Sequence, residues 1–578
     1  METSTLFSKY FSILLISIVL TGCSTAGRKE RLALRSHFAS GNFNQSLEVL
    51  NEAKIYKDQD SKLLALMEKG LVHHAAGNYH QSVMALGDAK ELADKLYTIR
   101  LSKKAAAAIA NDSYDVFYGE KYERSMIHFY LALNHLLIYQ KGSYEAYTPA
   151  KKDAKLIPEK KLSKDDLRRE QMAARAEVMA WDSYLTTLRN ERGGRSVFKN
   201  DLLSKVFGGY VHEMIGSLND LNIALQLYKD AKKLLFRNYN GYKTFNSNSK
   251  KFKKDFSKLP GMGKNAVARK YVNKTSYSRS LISFLNYKIL SMTQNIRPKD
   301  FKNMVSIHKP SVKTLKRLKK ERKKYSNVAV VFQRGLIPLK VPQKHYYGLD
   351  KAMKSKNSST AAMAAVGHFV LTTFAANKLG LIPPPRSYSP VGAAVGVQVA
   401  SVAARHASIS FELPKIKNTA TRAKTILQVW GKNGKLVQSQ VIPIINPMGD
   451  IAEEAVAENS ATRYTRLGAR LAAKHIVGIF AAYLTYKGLR SKNEFLAKSA
   501  ALLQYTGTSK AIEASERADT RYWSTLPWDL RVLHLSLPVG QYKLKALVKE
   551  GANTKSYDLG ALAVQKNKKQ VVNFRSLN

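Results

Sequence analysis

Apolar positions along the chain follow two different periods. Before residue 240 they recur at helical spacing: Leu47, Val49 and Leu50 share one helical face, and Val83, Ala85 and Leu86 repeat it 36 residues later. After residue 326 the period shortens to two. "NVAVVFQRGLIPLKV" (327–341) reads as strand, turn, strand, and Ile409, Phe411 and Leu413 alternate in "HASISFELPKI" (406–416). "AKTILQVWGKNGKLVQSQVIPII" (423–445) predicts a hairpin turning at Gly431-Lys432-Asn433-Gly434. Residues 530–551 alternate on both sides of Pro538-Val539-Gly540, and "KQVVNFRSL" (569–577) fits a last strand. The pattern predicts a helical front and a β-sandwich behind it, the sandwich interrupted by helical insertions near 357–405 and 449–513.

The front half repeats itself. "ASGNFNQSLEVLNEAK" (39–54) returns as "AAGNYHQSVMALGDAK" (75–90), with eight of sixteen positions identical. The pattern resembles the tetratricopeptide repeat. Gly41 and Gly77 match the turn between its two helices, Phe43 and Tyr79 the aromatic opening the second helix, Ser46 and Ser82 a small-residue slot, and Ala53 and Ala89 a late small residue. Gly70 falls at a close-packing position. Fainter units open at Gly119 with Tyr122 and at Gly142 with Tyr144, and residues 217–235 suggest a fifth. This resemblance implies an irregular solenoid of three to five helix pairs that binds a protein partner. Tyr79, Tyr118, Tyr122, Phe129, Tyr130 and Tyr144 are the candidate contacts, although aromatics at such slots more often fill the core.

Charge changes the picture next. Lys plus Arg number 94 against 43 Asp plus Glu, a formal net charge of +51. Such a chain is drawn to anionic surfaces. The basic stretch 241–325 reads as helix and linker. Within it "KTLKRLKKERKK" carries Lys313, Lys316, Arg317, Lys319, Lys320, Arg322, Lys323 and Lys324 on a helix, a candidate surface for anionic lipid or lipopolysaccharide. A solvated helix face explains the same run without any ligand.

The single cysteine has its own context. "FSILLISIVL" (11–20) is apolar and uncharged, too short to span a bilayer but suited to a secretory signal. Leu20-Thr21-Gly22-Cys23 resembles the lipobox of bacterial lipoproteins. That resemblance implies a signal peptide over 1–22, a diacylglycerol thioether and an acylated amine at Cys23. The Ser24 that follows implies outer-membrane sorting facing the periplasm. In that compartment nucleic acid is an unlikely partner for the basic surface. The apolar runs 361–381 and 475–489 carry His368, Asn377, Lys378 and Lys487, and read as buried helices.

"ERADTRYWSTLPWDL" (516–530) is the most distinctive stretch; Asp519, Thr520, Arg521 and Trp523 are expected to lock the second insertion onto the sandwich. Together with "YERSMIHFYLALN" (122–134), "ADTRYWSTLP" resembles an uncharacterised family of bacterial outer-membrane lipoproteins with tetratricopeptide-like front halves. No activity comes with that resemblance.

Catalytic and metal chemistry find no support. "HHAAGNYH" (73–80) breaks across a turn, and "HEMIG" (212–216) has Gly216 where a zinc helix needs histidine. "GKNGK" (431–435) is a turn rather than a phosphate loop. The expectation is a signal peptide (1–22), a repeat domain (23–240), a basic helical region (241–325) and a β-domain (326–578). They form a lipid-anchored envelope scaffold holding a periplasmic protein, with no enzyme activity, metal or cofactor beyond the covalent lipid. A basic module gripping lipopolysaccharide, anionic lipid or cell-wall polymer is the alternative, and an unrecognised envelope enzyme the third.

Overall fold

Gly41 and Gly77 reverse the chain at φ +76° and +81°, a region that L side chains rarely adopt. In the computed structural model the same two hydrogen bonds close both turns. Gly41 N donates to Phe38 O and Asn42 N to His37 O; Gly77 N donates to His74 O and Asn78 N to His73 O. This is the Schellman pattern, which satisfies the last carbonyls of the preceding helix. The structure describes residues 27–102, 116–149, 155–190, 198, 200–258, 270–271, 275–321, 326–348, 408–419, 421–458, 474, 485–486, 488–489 and 491–577.

The first turn joins α1 (Arg28–Ala39) to α2 (Phe43–Glu52). After the short α3 (Lys54–Lys57), the second joins α4 (Lys62–Ala75) to α5 (Tyr79–Ser102). Gly70 sits where α4 and α5 touch: a Cβ there would lie 2.5 Å from the Leu86 side chain. The Ser82 hydroxyl donates to Gly70 O at 2.5 Å, so the small-residue slots are used for helix approach.

Next come α6 (Lys121–Lys141) and α7 (Lys164–Asn190). The unit expected to open at Gly142 is not formed as a helix pair. Gly142 ends α6, then β1 (Ser143–Tyr144) pairs with β2 (Lys160–Lys161) and Tyr147 bridges Ile157. A turn glycine followed by an aromatic is common to both outcomes, which is why the repeat pattern misled there. α8 (Leu202–Ile215) and α9 (Leu218–Phe236) form a hairpin; Asp201 and Ser217 cap them by accepting from Leu203 N and Asp220 N.

The described residues of the basic region are largely helical. It contains α10 (Ser249–Lys258), α11 (Ser276–Ile296), α12 (Phe301–His308) and α13 (Val312–Lys320). Leu281, Leu285, Ile289 and Leu290 of α11 are buried.

The carboxy-terminal part carries the sheets. β3 (Val328–Arg334) and β9 (Asp529–Leu535) are buried along their whole length. They are the inner strands of a four-stranded sheet ordered β12-β3-β9-β8, with β8 at Ile444–Asn446 and β12 at Gln570–Ser576. β12 runs parallel to β3. A second sheet is ordered β11-β10-β6-β7, built from β6 (Lys424–Gly431), β7 (Leu436–Val441), β10 (Gly540–Glu550) and β11 (Asn553–Val564). Among the described residues β4 (Leu339–Gly348) pairs only with β5 (Ser408–Lys417). Segments 408–446 and 529–576 therefore contribute strands to both four-stranded sheets. Phe332 of β3 stacks on Phe574 at 5.5 Å and meets Tyr557 of the second sheet at 6.1 Å.

One apolar cluster runs from Leu34 and Phe38 of α1 through Phe129 and Tyr130 of α6 to Val330, Val532 and Leu544. The front helices and the sheets thus share a core. The insertion expected at 357–405 lies outside the described residues. Of the one expected at 449–513, a helix over 448–458 and α14 (Glu494–Ser515) are described. No helix among the described residues is long and apolar enough to cross a membrane.

Candidate functional site

The aromatic candidates divide by burial. Tyr122 is 3% exposed, and Phe129 and Tyr130 are fully buried. These three are packing residues, not partner contacts. α6 is buried along most of its length, and Phe129 meets Tyr130, Trp181 and Phe207 at 5.0, 6.1 and 5.2 Å. The Tyr130 hydroxyl donates to Gln333 Oε1 of β3 at 2.7 Å. Tyr79, Tyr118 and Tyr144 are half-buried.

Tyr144 belongs to a strip of polar and aromatic groups along α5, α6 and α7. Its ring stacks on His80 at 4.1 Å, with Tyr147 edge-on to His80 at 6.0 Å. Its hydroxyl donates to Glu170 Oε1 at 2.7 Å, and His135 Nδ1 meets Glu170 Oε2 at 2.7 Å. One heptad along both helices, His128 Nδ1 meets Glu177 Oε2 at 3.1 Å. A heptad further on α7, the Tyr184 hydroxyl donates to Lys121 O at 3.0 Å. These contacts fix α6 and α7 as antiparallel neighbours. Lys90 of α5 ion-pairs with Glu177. Arg124 lies over the Tyr97 and Tyr184 rings, 5.0 Å from each.

The electrostatics are settled locally. Burial pushes the Glu170 carboxyl up, but hydrogen bonds from His135 and Tyr144 outweigh it and hold the group below its usual range. Burial is likewise overcome at Glu177 by His128 and Lys90. Burial, with Glu170 adding to it, pushes the Tyr144 phenol up. Glu145 Oε1 accepts from His80 N at 2.7 Å and Gln81 N at 3.2 Å, placing a carboxylate on the amino end of α5. The half-buried His80, Tyr144, Tyr147 and His135 leave part of their rings accessible, while Glu145 and Glu170 are buried and bonded within the strip, which has no activated nucleophile. His80, His135, Glu145, Glu170 and Glu177 were not anticipated; the seven-residue spacings 128/135 and 170/177/184 were the available signal.

His73 and His74 of the triple-histidine stretch are buried, and burial lowers both to about 4. His74 Nδ1 meets Asn134 Oδ1 at 2.5 Å. Among the described residues no group of three His, Cys, Asp or Glu side chains is placed to hold a metal ion.

The basic candidates also divide. Lys313, Lys316, Lys319 and Lys320 are exposed on α13, while Leu318 faces inward. Arg317 is not part of that free surface. It donates to Glu321 Oε1 at 2.9 Å and Gln440 Oε1 at 2.8 Å, and lies 3.9 Å over the Tyr287 ring. Arg322, Lys323 and Lys324 lie outside the described residues, as does Cys23.

The 516–530 stretch pairs Arg521 with Asp519 at 2.9 Å and buries Trp523 completely. Its described contacts run mainly to the front helices, and to the expected insertion they include Lys474 with Glu516 and Gly449 N with Trp528 O. The Thr520 carbonyl and hydroxyl both accept from Arg31. Arg35 donates to Ser524 O at 2.8 Å, and Trp523 N donates to Glu123 Oε1 at 2.8 Å. Glu68, fully buried on α4, accepts from the backbone and hydroxyls of Ser524 and Thr525. The stretch is a structural clamp between the front helices and β9, and Glu68 and Glu123 are the groups it is built on.

No protein-family model, no curated protein and no solved structure matches this chain.

Proposed function

We propose that the protein is a lipid-anchored scaffold of a bacterial cell envelope. Its front helices act as an irregular tetratricopeptide-like solenoid that holds a periplasmic protein, and its strands form a β-sandwich behind them. The observation that carries this reading is the half-buried strip of His80, Tyr144, Tyr147 and His135 beside the repeat turns, held from beneath by the buried Glu170 and without a catalytic constellation. Aromatic side chains of this kind dominate the energy of protein interfaces. The reading needs no enzyme activity, cofactor or metal.

Replacing Tyr147 with Ala should weaken capture of the partner from an envelope extract by about 1–2 kcal/mol with little change in melting temperature, whereas Tyr144→Ala, which also removes a hydrogen bond to the buried Glu170, should lower both. Unchanged capture by the Tyr144→Ala and Tyr147→Ala proteins would remove the strip from the binding surface.

Anchoring rests on Leu20-Thr21-Gly22-Cys23. Mass spectrometry of the mature amino terminus should find diacylglycerol and an acyl group on Cys23. An amino-terminal peptide carrying an unmodified Cys23 would refute it. Replacing Cys23 with Ser should leave an unlipidated precursor.

A second reading draws on the four exposed lysines of α13. In it the basic surface adsorbs to anionic lipid or lipopolysaccharide, with or without a protein partner.

A further inference from the structure

The β6–β7 hairpin carries its tip, residues 432–437, in solvent. Leu436 is 46% exposed and Val437 52%. Val539, in the turn that leads into β10 at the same end of the sheet, is 66% exposed. Core-facing Leu427 and Val429 alternate with Trp430, which is half-buried on the outer face. Trp430 stands opposite Leu436 on β7 and Lys543 on β10, and Lys543 stands opposite Ala561 on β11. One row thus crosses all four strands from an exposed aliphatic, through an indole, to a lysine. The Trp430 indole N–H is shielded from solvent and has no hydrogen-bond partner.

Among the described residues the charges around this end are positive apart from Asp558. The hairpin tip supplies Lys432 and Lys435, and β10 supplies Lys543 and Lys545. The acids of these four strands are Asp558, 3.4 Å from Lys543, and Glu550, which reaches to Arg334 at the far end of β10. The Arg317–Gln440 hydrogen bond fixes α13, with its exposed lysines, beside the same edge strand β7. Gln440 and Leu436 are separated by about 13 Å of strand. The cations at the hairpin end are all lysines, which act as hydrated point charges rather than as forks that read a carboxylate. The exposed aliphatics form a protruding tip, a shape that enters a soft layer more readily than it fills a protein groove.

We propose that this end of the sheet docks on an anionic lipid bilayer. Leu436, Val437 and Val539 enter the boundary between headgroups and acyl chains, and Trp430 lies at the interface where indoles concentrate. The lysines of the hairpin and of α13 face the lipid phosphates. The inference deepens the anionic-surface reading by naming the element that enters the lipid.

The test uses the full-length chain with Cys23→Ser and vesicles of phosphatidylcholine with or without phosphatidylglycerol, their acyl chains brominated. Trp181 and Trp523 are fully buried and Trp528 is 4% exposed, so bromine quenching of tryptophan reports Trp430, and Trp430→Phe supplies the blank. Quenching is expected in phosphatidylglycerol vesicles at low salt and should fade at high salt. Leu436→Ser/Val437→Ser should weaken the binding that this quenching reports about tenfold. Lys432→Glu/Lys435→Glu should do the same, and added inorganic phosphate should not compete. Equal quenching by zwitterionic vesicles, quenching indifferent to both hairpin variants, or no quenching at all would overturn the proposal. Salt-sensitive sedimentation that needs the α13 lysines but leaves Trp430 unquenched would keep the anionic-surface reading and reject the hairpin. These substitutions lie at exposed positions, and an unchanged near-ultraviolet circular dichroism spectrum checks each fold.

Discussion

Replacing Lys288 with Met is expected to destabilise the protein by about 3–5 kcal/mol, the usual cost of removing one partner from a buried ion pair. Lys288 of α11 is 1% exposed and Glu213 of α8 is fully buried, with Nζ and Oε1 2.6 Å apart. Ser326 accepts a second hydrogen bond from Lys288 at 2.8 Å, and the ammonium lies 5.0 Å over the Tyr228 ring. The Tyr228 hydroxyl donates to Glu213, and His534 of β9 stands 3.3 Å from that hydroxyl. Burial lowers the Lys288 pKa and the Glu213 charge raises it again. Removing the ammonium would leave a carboxylate in an apolar setting, where charge without a counter-ion is costly. Met keeps the length of the side chain, so the loss measures charge rather than a cavity. Glu213→Gln in the same chain should recover most of it, because the amide oxygen still accepts from Tyr228 and no net charge is left behind. Urea unfolding followed by circular dichroism reads both effects. A double variant no more stable than Lys288→Met would show that the destabilisation is not electrostatic.

This cluster also marks where sequence reasoning stops. "HEMIG" drew attention to His212 and Glu213 as a broken metal motif. The partners of Glu213 come from positions 228, 288 and 569, and no local pattern names them. Local signals did succeed. The strand readings at 327–341, 406–416, 423–445 and 530–551 overlap β3 to β7, β9 and β10, because each is rich in apolar residues and flanked by turn residues, although β4 runs on to Gly348. β11 was not legible: as an edge strand it buries only Leu562 and Val564, so it has no continuous alternation. The parallel match of β12 to β3 joins strands more than 230 residues apart, and pairing of that kind is set by the core rather than by either segment. The repeat turns at Gly41 and Gly77 were legible because a positive φ restricts the residue itself. Glu68 and Glu123 were not, since a glutamate on a helix reads as solvent-facing until the 519–525 clamp closes over it.

Glu123 should make part of the stability rise as the pH falls. Burial, with Glu120 nearby, pushes its pKa from the ordinary 4.5 to about 7, against the hydrogen bonds from Glu120 N and Trp523 N that favour the carboxylate. A carboxyl whose pKa is higher in the folded state binds a proton there that the unfolded chain has already released. Its contribution is therefore fully present below about pH 4.5 and is lost as the pH climbs to about 7. Asp201, raised to about 6, acts in the same direction over a lower range. His73 and His74 act in the opposite direction: held near 4, they take up protons on unfolding between about pH 4 and 6.5, so acid weakens the fold through them. The stability curve of the whole protein sums these opposing slopes and cannot isolate one residue. The difference between wild type and Glu123→Gln can. Glutamine mimics the protonated carboxyl, with one oxygen to accept and no proton to release. Above about pH 7.5 the difference should be flat. Between pH 7 and 4.5 wild type should gain on the variant by about 2–4 kcal/mol, at about 1.4 kcal/mol for each pH interval over which the protonation differs. Denaturant unfolding of both proteins across that range reads the difference directly. A gap that stays constant from pH 8 to pH 5 would mean that Glu123 is ionised in the fold, and that the clamp at Trp523 closes on a charge rather than on a neutral acid.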